Sequence, residues 1–288
     1  GPRALSEGRI SEWKGSDMDD RSTAIRMREK QYHDAFYAGD SPLPEVVIAE
    51  VRELSLKPCY QTGRDKYSDN KMAFHEIIHR DGGWSGKHVL DYACGRGSWA
   101  IYYALTGAQR VQGFDISETA IQRGRERVER QGLADRVDLR AMDAARLDYE
   151  DETFEMVIGT AVLHHVIKYP QVFEELHRVM APGAKAYFLE GLADFPLFRL
   201  WWKIKGEVPQ GDVPIFSRDI HEKASMFSKI VIHGDTFLYS AKTMLWKPSM
   251  GRGRKSLLKV LKAIDTFLFR VCPVLRRCGS FSYIVLTK

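Results

Sequence analysis

The sequence predicts an α/β fold in which a doubly wound, mostly parallel sheet is covered by helices. Between Lys87 and Gly191, short apolar runs alternate with charged stretches of helix length such as Glu118 to Gln131, the alternation that strands and crossover helices require. The run at Val89-Leu90 ends in Asp91 and turns through Ala93, Cys94, Gly95, Arg96 and Gly97, a small-residue turn of the kind that brings backbone close to a ligand. A second run ends in the same way, at Gly113-Phe114-Asp115. Ligands of such sheets lie beyond the carboxyl ends of the strands, so the two acids mark the expected site.

Three regions follow along the chain. Residues 1–86 read as a helical lid or substrate cap, with helices over 21–38, 44–56 and 70–80; the last is capped by Asp69 and stopped by Gly82-Gly83. Residues 87–191 form the sheet core. Residues 192–288 open with the aromatic stretch around Trp201-Trp202-Lys203 and contain strand-like runs at Ile230 to His233 and Tyr283 to Leu286 that would complete the sheet as an antiparallel pair. A basic helical insertion, 242–279, lies between those two runs and therefore before the last strand.

The acids specify the ligand. A carboxylate at the strand end of Asp115 can accept both hydroxyls of a ribose, which predicts a nucleoside cofactor; a helix N-cap is the alternative role. A dinucleotide loop wants a third glycine three residues after Gly97, where Ser98, Trp99 and Ala100 follow, so only the permissive final alanine fits. This disfavours an NAD(P)-dependent reductase. Asp91, one turn before the glycines, suits instead a ligand with an ammonium group, and S-adenosylmethionine carries one.

At these residues the chain resembles the class I S-adenosylmethionine-dependent methyltransferases, in particular the group that holds small-molecule, quinone and sugar O-methyltransferases. The likeness runs from Lys87 to Gly191 through VLDYACGRG, VQGFDIS, LRAMDA, FEMVIGTAVLHHV and ELHRVMAPGAKAYFLEG, in that order. It implies a Rossmann-like sheet of seven strands and S-adenosylmethionine as cofactor. Asp91, Gly95 and Gly97 would surround the methionine part, Asp115 with Ile116 the ribose, Asp143 with Ala144 the adenine edge, and Thr160 would lie under the cofactor. Ala93 stands where the family usually has glycine. Asp143 also reads as a loop acid within the charged stretch 143–152. Arg64 and Tyr67 are placed to close over the cofactor carboxylate or to form an exposed loop pair.

Methyl transfer from a sulfonium is an in-line displacement, so alignment supplies most of the catalysis and a base matters only when the acceptor must lose a proton. The family pattern puts His164, His165 and Glu190 at the ends of the fourth and fifth strands. His165-Val166 and Leu189-Glu190 match the positions that some sugar-hydroxyl methyltransferases use, which makes a His165–Glu190 dyad the expected base for O-methylation. The histidines capping the next helix or lining the wall is the competing reading. C-methylation of a quinone or isoprenoid, and a cofactor-binding scaffold without turnover, are the remaining alternatives.

The net charge of +5 over 288 residues does not call for nucleic acid. The four cysteines, Cys59, Cys94, Cys272 and Cys278, have no paired metal-ligand spacing, so no metal is expected, and the expectation is a cytoplasmic protein without a secretory leader. The expected partner is a small or lipid-like acceptor. From Arg252 to Arg277 eight Lys or Arg residues meet one acid, Asp265, interleaved at helical spacing with Leu257, Leu258, Leu261, Ile264, Phe267, Leu268 and Val271. Such a helix either packs its apolar face on its own domain or lies on an anionic membrane as a peripheral contact.

Overall fold

A computed structural model describes residues 20–38, 68–194, 215–238, 252–279 and 281–288. Seven strands form one sheet: β1 (His88–Tyr92), β2 (Arg110–Asp115), β3 (Val137–Ala141), β4 (Phe154–Thr160), β5 (Met180–Gly191), β6 (Lys229–Thr236) and β7 (Phe281–Thr287). Their order is β3-β2-β1-β4-β5-β7-β6. The first five are parallel, and β7 runs antiparallel to both β5 and β6. The order reverses between β1 and β4, the switch point at which a doubly wound sheet opens a crevice for ligands.

The helices are α1 (Asp20–Ala38), α2 (Ser68–Arg80), α3 (Ser98–Leu105), α4 (Glu118–Arg130), α5 (Leu163–Val166), α6 (Gln171–Val179), α7 (Ser217–Lys223) and α8 (Arg252–Val271). Alternate strand residues feed two cores, one on each side of the sheet. Leu90, Tyr92, Val157 and Phe188 pack with Val172, Phe173 and Leu176 of α6. Val89, Val111, Met156 and Tyr187 pack with Phe74 and Ile78 of α2, Ile101 of α3 and Ile121 and Val128 of α4. Burying side chains of this size contributes roughly 1.5–3 kcal/mol each, and strands buried on both faces account for the near-continuous apolar runs. In α4 the buried residues are Ala120, Ile121, Gly124 and Val128, the i, i+4, i+8 stripe of a surface helix.

The boundaries differ from the sequence reading where pairing overrides local pattern. Helix α2 starts at Ser68, so Asp69 lies inside its first turn rather than capping it. The strands expected over 230–233 and 283–286 extend to Lys229–Thr236 and Phe281–Thr287, because each gains a ladder partner beyond its apolar centre. The helix expected over 44–56 and the Trp201-Trp202-Lys203 stretch lie outside the described residues. Helix α8 lies between β6 and β7, and a short 3-10 turn, Pro273–Cys278, leads from it back to the sheet.

That turn sits directly on β6. A methyl group on Gly234 would stand 2.1 Å from the Arg276 carbonyl oxygen and 2.8 Å from the Gly279 Cα, and backbone cannot swing aside as a side chain can. Gly234→Ala is expected to destabilise the protein by roughly 1–3 kcal/mol through overpacking. Urea unfolding would show it as a lower midpoint at unchanged slope.

Candidate active site

The site is built from the carboxyl ends of β1, β2, β3, β4 and β5. After β1 the chain turns through Ala93, Cys94 and Gly95 to Gly97, the N-cap of α3. Gly95 and Gly97 have φ of 52° and 66°, in the left-handed region that glycine enters without a Cβ penalty. There is also no room for one: a Cβ on Gly97 would meet Leu139 at 2.5 Å, and a Cβ on Gly95 would meet the Tyr37 hydroxyl at 2.6 Å. Ala93 (φ 57°) and Ala161 (φ 55°) are non-glycine residues in the same region. They follow β1 and β4, the two strands that flank the switch point, and strain of this kind gathers at functional sites.

Asp91 and Asp115 are both buried, at 4% and 7% exposure. Asp115 accepts the N–H of Gly95 at 2.9 Å and of Ser117 at 3.0 Å. Burial nonetheless pushes its carboxyl up, against those two donors and the neighbouring His33. The Ala100 backbone N–H favours the charged form of Asp91, but the Oδ2 of Asp91 has no hydrogen-bond partner. Burial, with the Asp115 charge adding to it, pushes the Asp91 carboxyl up to about 7. A buried carboxylate oxygen without a donor, beside a glycine turn, fits the ammonium of a bound amino acid moiety.

Helix α1 closes one side of this site. Arg26 is ion-paired with Asp143 at 2.7 Å, both side chains being nearly inaccessible, and its guanidinium lies 4.2 Å from the Tyr169 ring centre. Glu29 binds Lys168 and, at 3.0 Å, the Tyr169 hydroxyl. Asp34 accepts from the Ser117 hydroxyl at 2.5 Å and the Thr119 N–H at 3.1 Å, while Arg123 donates to the Tyr37 and Ala38 carbonyls. Between α1 and the ends of β2 and β3 remains a cavity of about 250 Å³, lined among others by Arg26, Ile116, Ala141, Met142 and Asp143. Ala144 is buried beside it in sequence, and Asp143 also accepts the Ala145 N–H at 2.8 Å.

On the other side of the switch point, Glu190 is buried at the end of β5. Its Oε1 accepts the N–H groups of Val162 and Leu163 at 2.5 and 2.6 Å, and its Oε2 lies 2.9 Å from Nδ1 of His164. The acid expected to pair with His165 therefore pairs with His164. The reason is local: Glu190 caps the first turn of α5, and that position presents His164 to it. His165 instead meets His33 of α1 edge-on, with ring centres 5.2 Å apart, and lies 4.1 Å from the His164 ring. Thr160 is half-buried at the end of β4, paired with Leu189. Arg64 and Tyr67 lie outside the described residues. Among the described residues no cluster of three or more His, Cys, Asp or Glu side chains is placed to hold a metal ion.

Arg26, His33, Asp34 and Tyr37 were not singled out from the sequence. Their signal is the spacing: 26, 30, 33, 34 and 37 fall on one face of a helix, a polar face that a surface helix would direct to solvent.

Asp91 gives the free protein a defined pH dependence. Its pKa rises from 3.8 to about 7 on folding, so the folded state favours the protonated acid. Its contribution is present in full below pH ~4 and is lost as pH rises towards 7. Asp91→Asn should flatten that part of the stability profile in urea titrations between these limits. An unchanged slope would mean that Asp91 is not the group.

Comparison with known proteins gives the geometry a class. Residues 89–183 match the family model described as "Methyltransferase domain". The chain is 36% identical over 122 residues to a demethylmenaquinone methyltransferase of Lactiplantibacillus plantarum, covering 41% of this chain and 52% of that protein. It is 34% identical over 113 residues to the 27-O-demethylrifamycin SV methyltransferase of Amycolatopsis mediterranei, covering 39% and 40%. The chain spans about half the length of the curated relatives it matches. Its fold is also that of the geranyl diphosphate C-methyltransferase of Streptomyces coelicolor, with a TM-score of 0.57 at 15% identity over 91% of this chain and 96% of that one. With a matching family model, a seven-stranded sheet of this order and two buried acids at the ends of β1 and β2, the chain is built around a class I S-adenosylmethionine-dependent methyltransferase domain.

Proposed function

We propose that the protein transfers the methyl group of S-adenosylmethionine to a small apolar acceptor of the quinone or lipid type, through a hydroxyl oxygen whose proton His164 removes. One observation carries this reading: the Glu190–His164 pair and the Asp91–Asp115 pair stand on opposite sides of one switch point. When bound, the cofactor supplies a methyl on a positively charged sulfur that leaves as a neutral thioether. Asp91 would hold the ammonium and Asp115 the ribose hydroxyls, while the cavity beside Ile116 and Asp143 would receive the adenine edge. Ionised Asp91 matches that ammonium, so binding draws the raised carboxyl back towards its charged form.

His164 has the properties of a base. A Glu190 carboxylate can only accept, so the imidazole donates from Nδ1 and keeps the lone pair of Nε2 for a proton. The carboxylate also fixes the ring and stabilises the imidazolium that forms. His165 takes the neighbouring place, between His33 and His164, and serves as wall in this reading. Similarity to a demethylmenaquinone methyltransferase favours a quinone-type acceptor, for which methylation at a ring carbon is the second reading. Loss of a phenolic proton makes the adjacent carbon nucleophilic as well, so the same base serves both reactions. Product NMR with a ¹³C-labelled methyl donor separates oxygen from carbon.

The test is turnover with quinol, phenol and long-chain alcohol acceptors. His164→Ala should lower kcat by roughly a hundredfold to ten-thousandfold while leaving the affinity for S-adenosylhomocysteine unchanged in calorimetry. The wild-type rate should rise with pH as the imidazole loses its proton, and the variant should lack that limb. Equal rates and profiles in both proteins would leave alignment alone as the source of catalysis. Cofactor binding without transfer to any acceptor would favour a scaffold that has lost turnover.

A further inference from the structure

Helix α8 has an outward face that the methyltransferase reading does not use. Its inner side is fixed to the sheet: Asp265, 3% exposed, accepts the N–H groups of Phe237 and Leu238 at 2.9 and 2.7 Å, and Phe269 is buried. Its outer side is apolar. Leu257, Val260, Ile264, Phe267 and Val271 are all exposed, Phe267 and Val271 at 65% and 64%. At about 100° per residue these five fall within an arc of roughly 80°, and Val274 prolongs the stripe into the following turn.

Sequence reasoning left open whether the apolar stripe packs inward. It is divided: Leu261 and Leu268 are half-buried, while the five residues above face water. Lys259 and Arg270 are exposed along the flank of the stripe. The helix has one acid, and it is turned inward, so the outward surface is cationic and apolar together.

We propose that α8 docks the protein on a lipid surface with anionic headgroups, its stripe entering the headgroup boundary and its cations resting on the lipid phosphates. A second copy of the chain is a poorer occupant. Apposing two such faces would bring like charges together, and lysine is depleted where proteins bury surface against one another. The placement adds a functional consequence. Phe281, where the insertion returns, pairs with Thr236 on β6 and with Gly191 at the carboxyl end of β5. The insertion therefore leaves and rejoins the sheet at the same end as the crevice, and docking would bring the crevice towards lipid. Delivery of a lipid-phase acceptor rests on the function proposed above; the docking contact does not.

The experiment is co-sedimentation with phosphatidylcholine vesicles, with and without phosphatidylglycerol, at low and raised salt. The wild-type protein should sediment with the anionic vesicles, less with the neutral ones, and release as salt screens the contact. The double variant K259A/R270A should bind anionic vesicles roughly thirtyfold more weakly, and F267S/V271S about tenfold or more weakly. Affinity for S-adenosylhomocysteine, measured on the same samples, should hold in both variants and shows that they are folded. Equal sedimentation of wild type and both variants overturns the proposal. So does wild type that binds S-adenosylhomocysteine but no vesicle, or a stripe that proves to hold two copies together, seen as dimers that F267S/V271S dissociates without lipid. Vesicle binding by a wild-type protein that binds no S-adenosylhomocysteine would support the docking and refute the function.

Discussion

Burial of two carboxylates at the ends of adjacent parallel strands is the constraint around which this molecule is arranged. Asp91 and Asp115 have almost no contact with water, and among the described residues no cationic side chain forms an ion pair with either. An isolated buried charge is costly, and for Asp115 the surrounding backbone answers it: the glycine turn offers the Gly95 N–H and the start of α4 offers the Ser117 N–H. The Oδ2 of Asp91 still lacks a donor. That remaining demand for positive charge is what the proposed binding of an ammonium group at this turn rests on.

The elements around the acids inherit their geometry. The turn takes left-handed backbone at Gly95 and Gly97, where an added Cβ would press on Tyr37 and Leu139. Helix α1 must then close over the same end without adding a further uncompensated charge. It does so by pairing Arg26 with Asp143 and placing Asp34 against the donors at the start of α4. Such a buried pair adds little net stability, because desolvation offsets the attraction. It does give α1 one register, since any other would leave a buried charge unpaired.

Across the switch point the logic is reversed. Glu190 is buried too, but three donors satisfy it: two backbone N–H groups of the β4–α5 turn and the imidazole of His164. This carboxylate organises protein rather than ligand, and its value to chemistry lies in the orientation it gives the histidine. Beyond β5 the antiparallel pair β7-β6 carries the α8 insertion at the same end of the sheet, so acids, histidine and basic helix all belong to one end of the molecule.

How much of this was legible in the sequence depends on the range of the interaction. The parallel sheet, the glycine turn and the acids at the ends of β1 and β2 were readable because strand burial and turn chemistry act over a few residues. The chain's own periodicity also marked α8 as amphipathic. The partner of Glu190 was not readable, since His164 and His165 are neighbours in sequence and only the cap on α5 decides which one meets the acid. The role of α1 was equally hidden: Arg26 and Asp143 are 117 positions apart, and nothing local to either announces the other. The side of α8 that faces water depended on where Asp265 found its donors, on the backbone just beyond β6. The sequence by itself determined the sheet, the glycine turn and the acids at the ends of β1 and β2. Only the tertiary structure decided which histidine is oriented, what closes the site and which face of the basic helix remains outside, because each of these is a contact between segments distant in the chain.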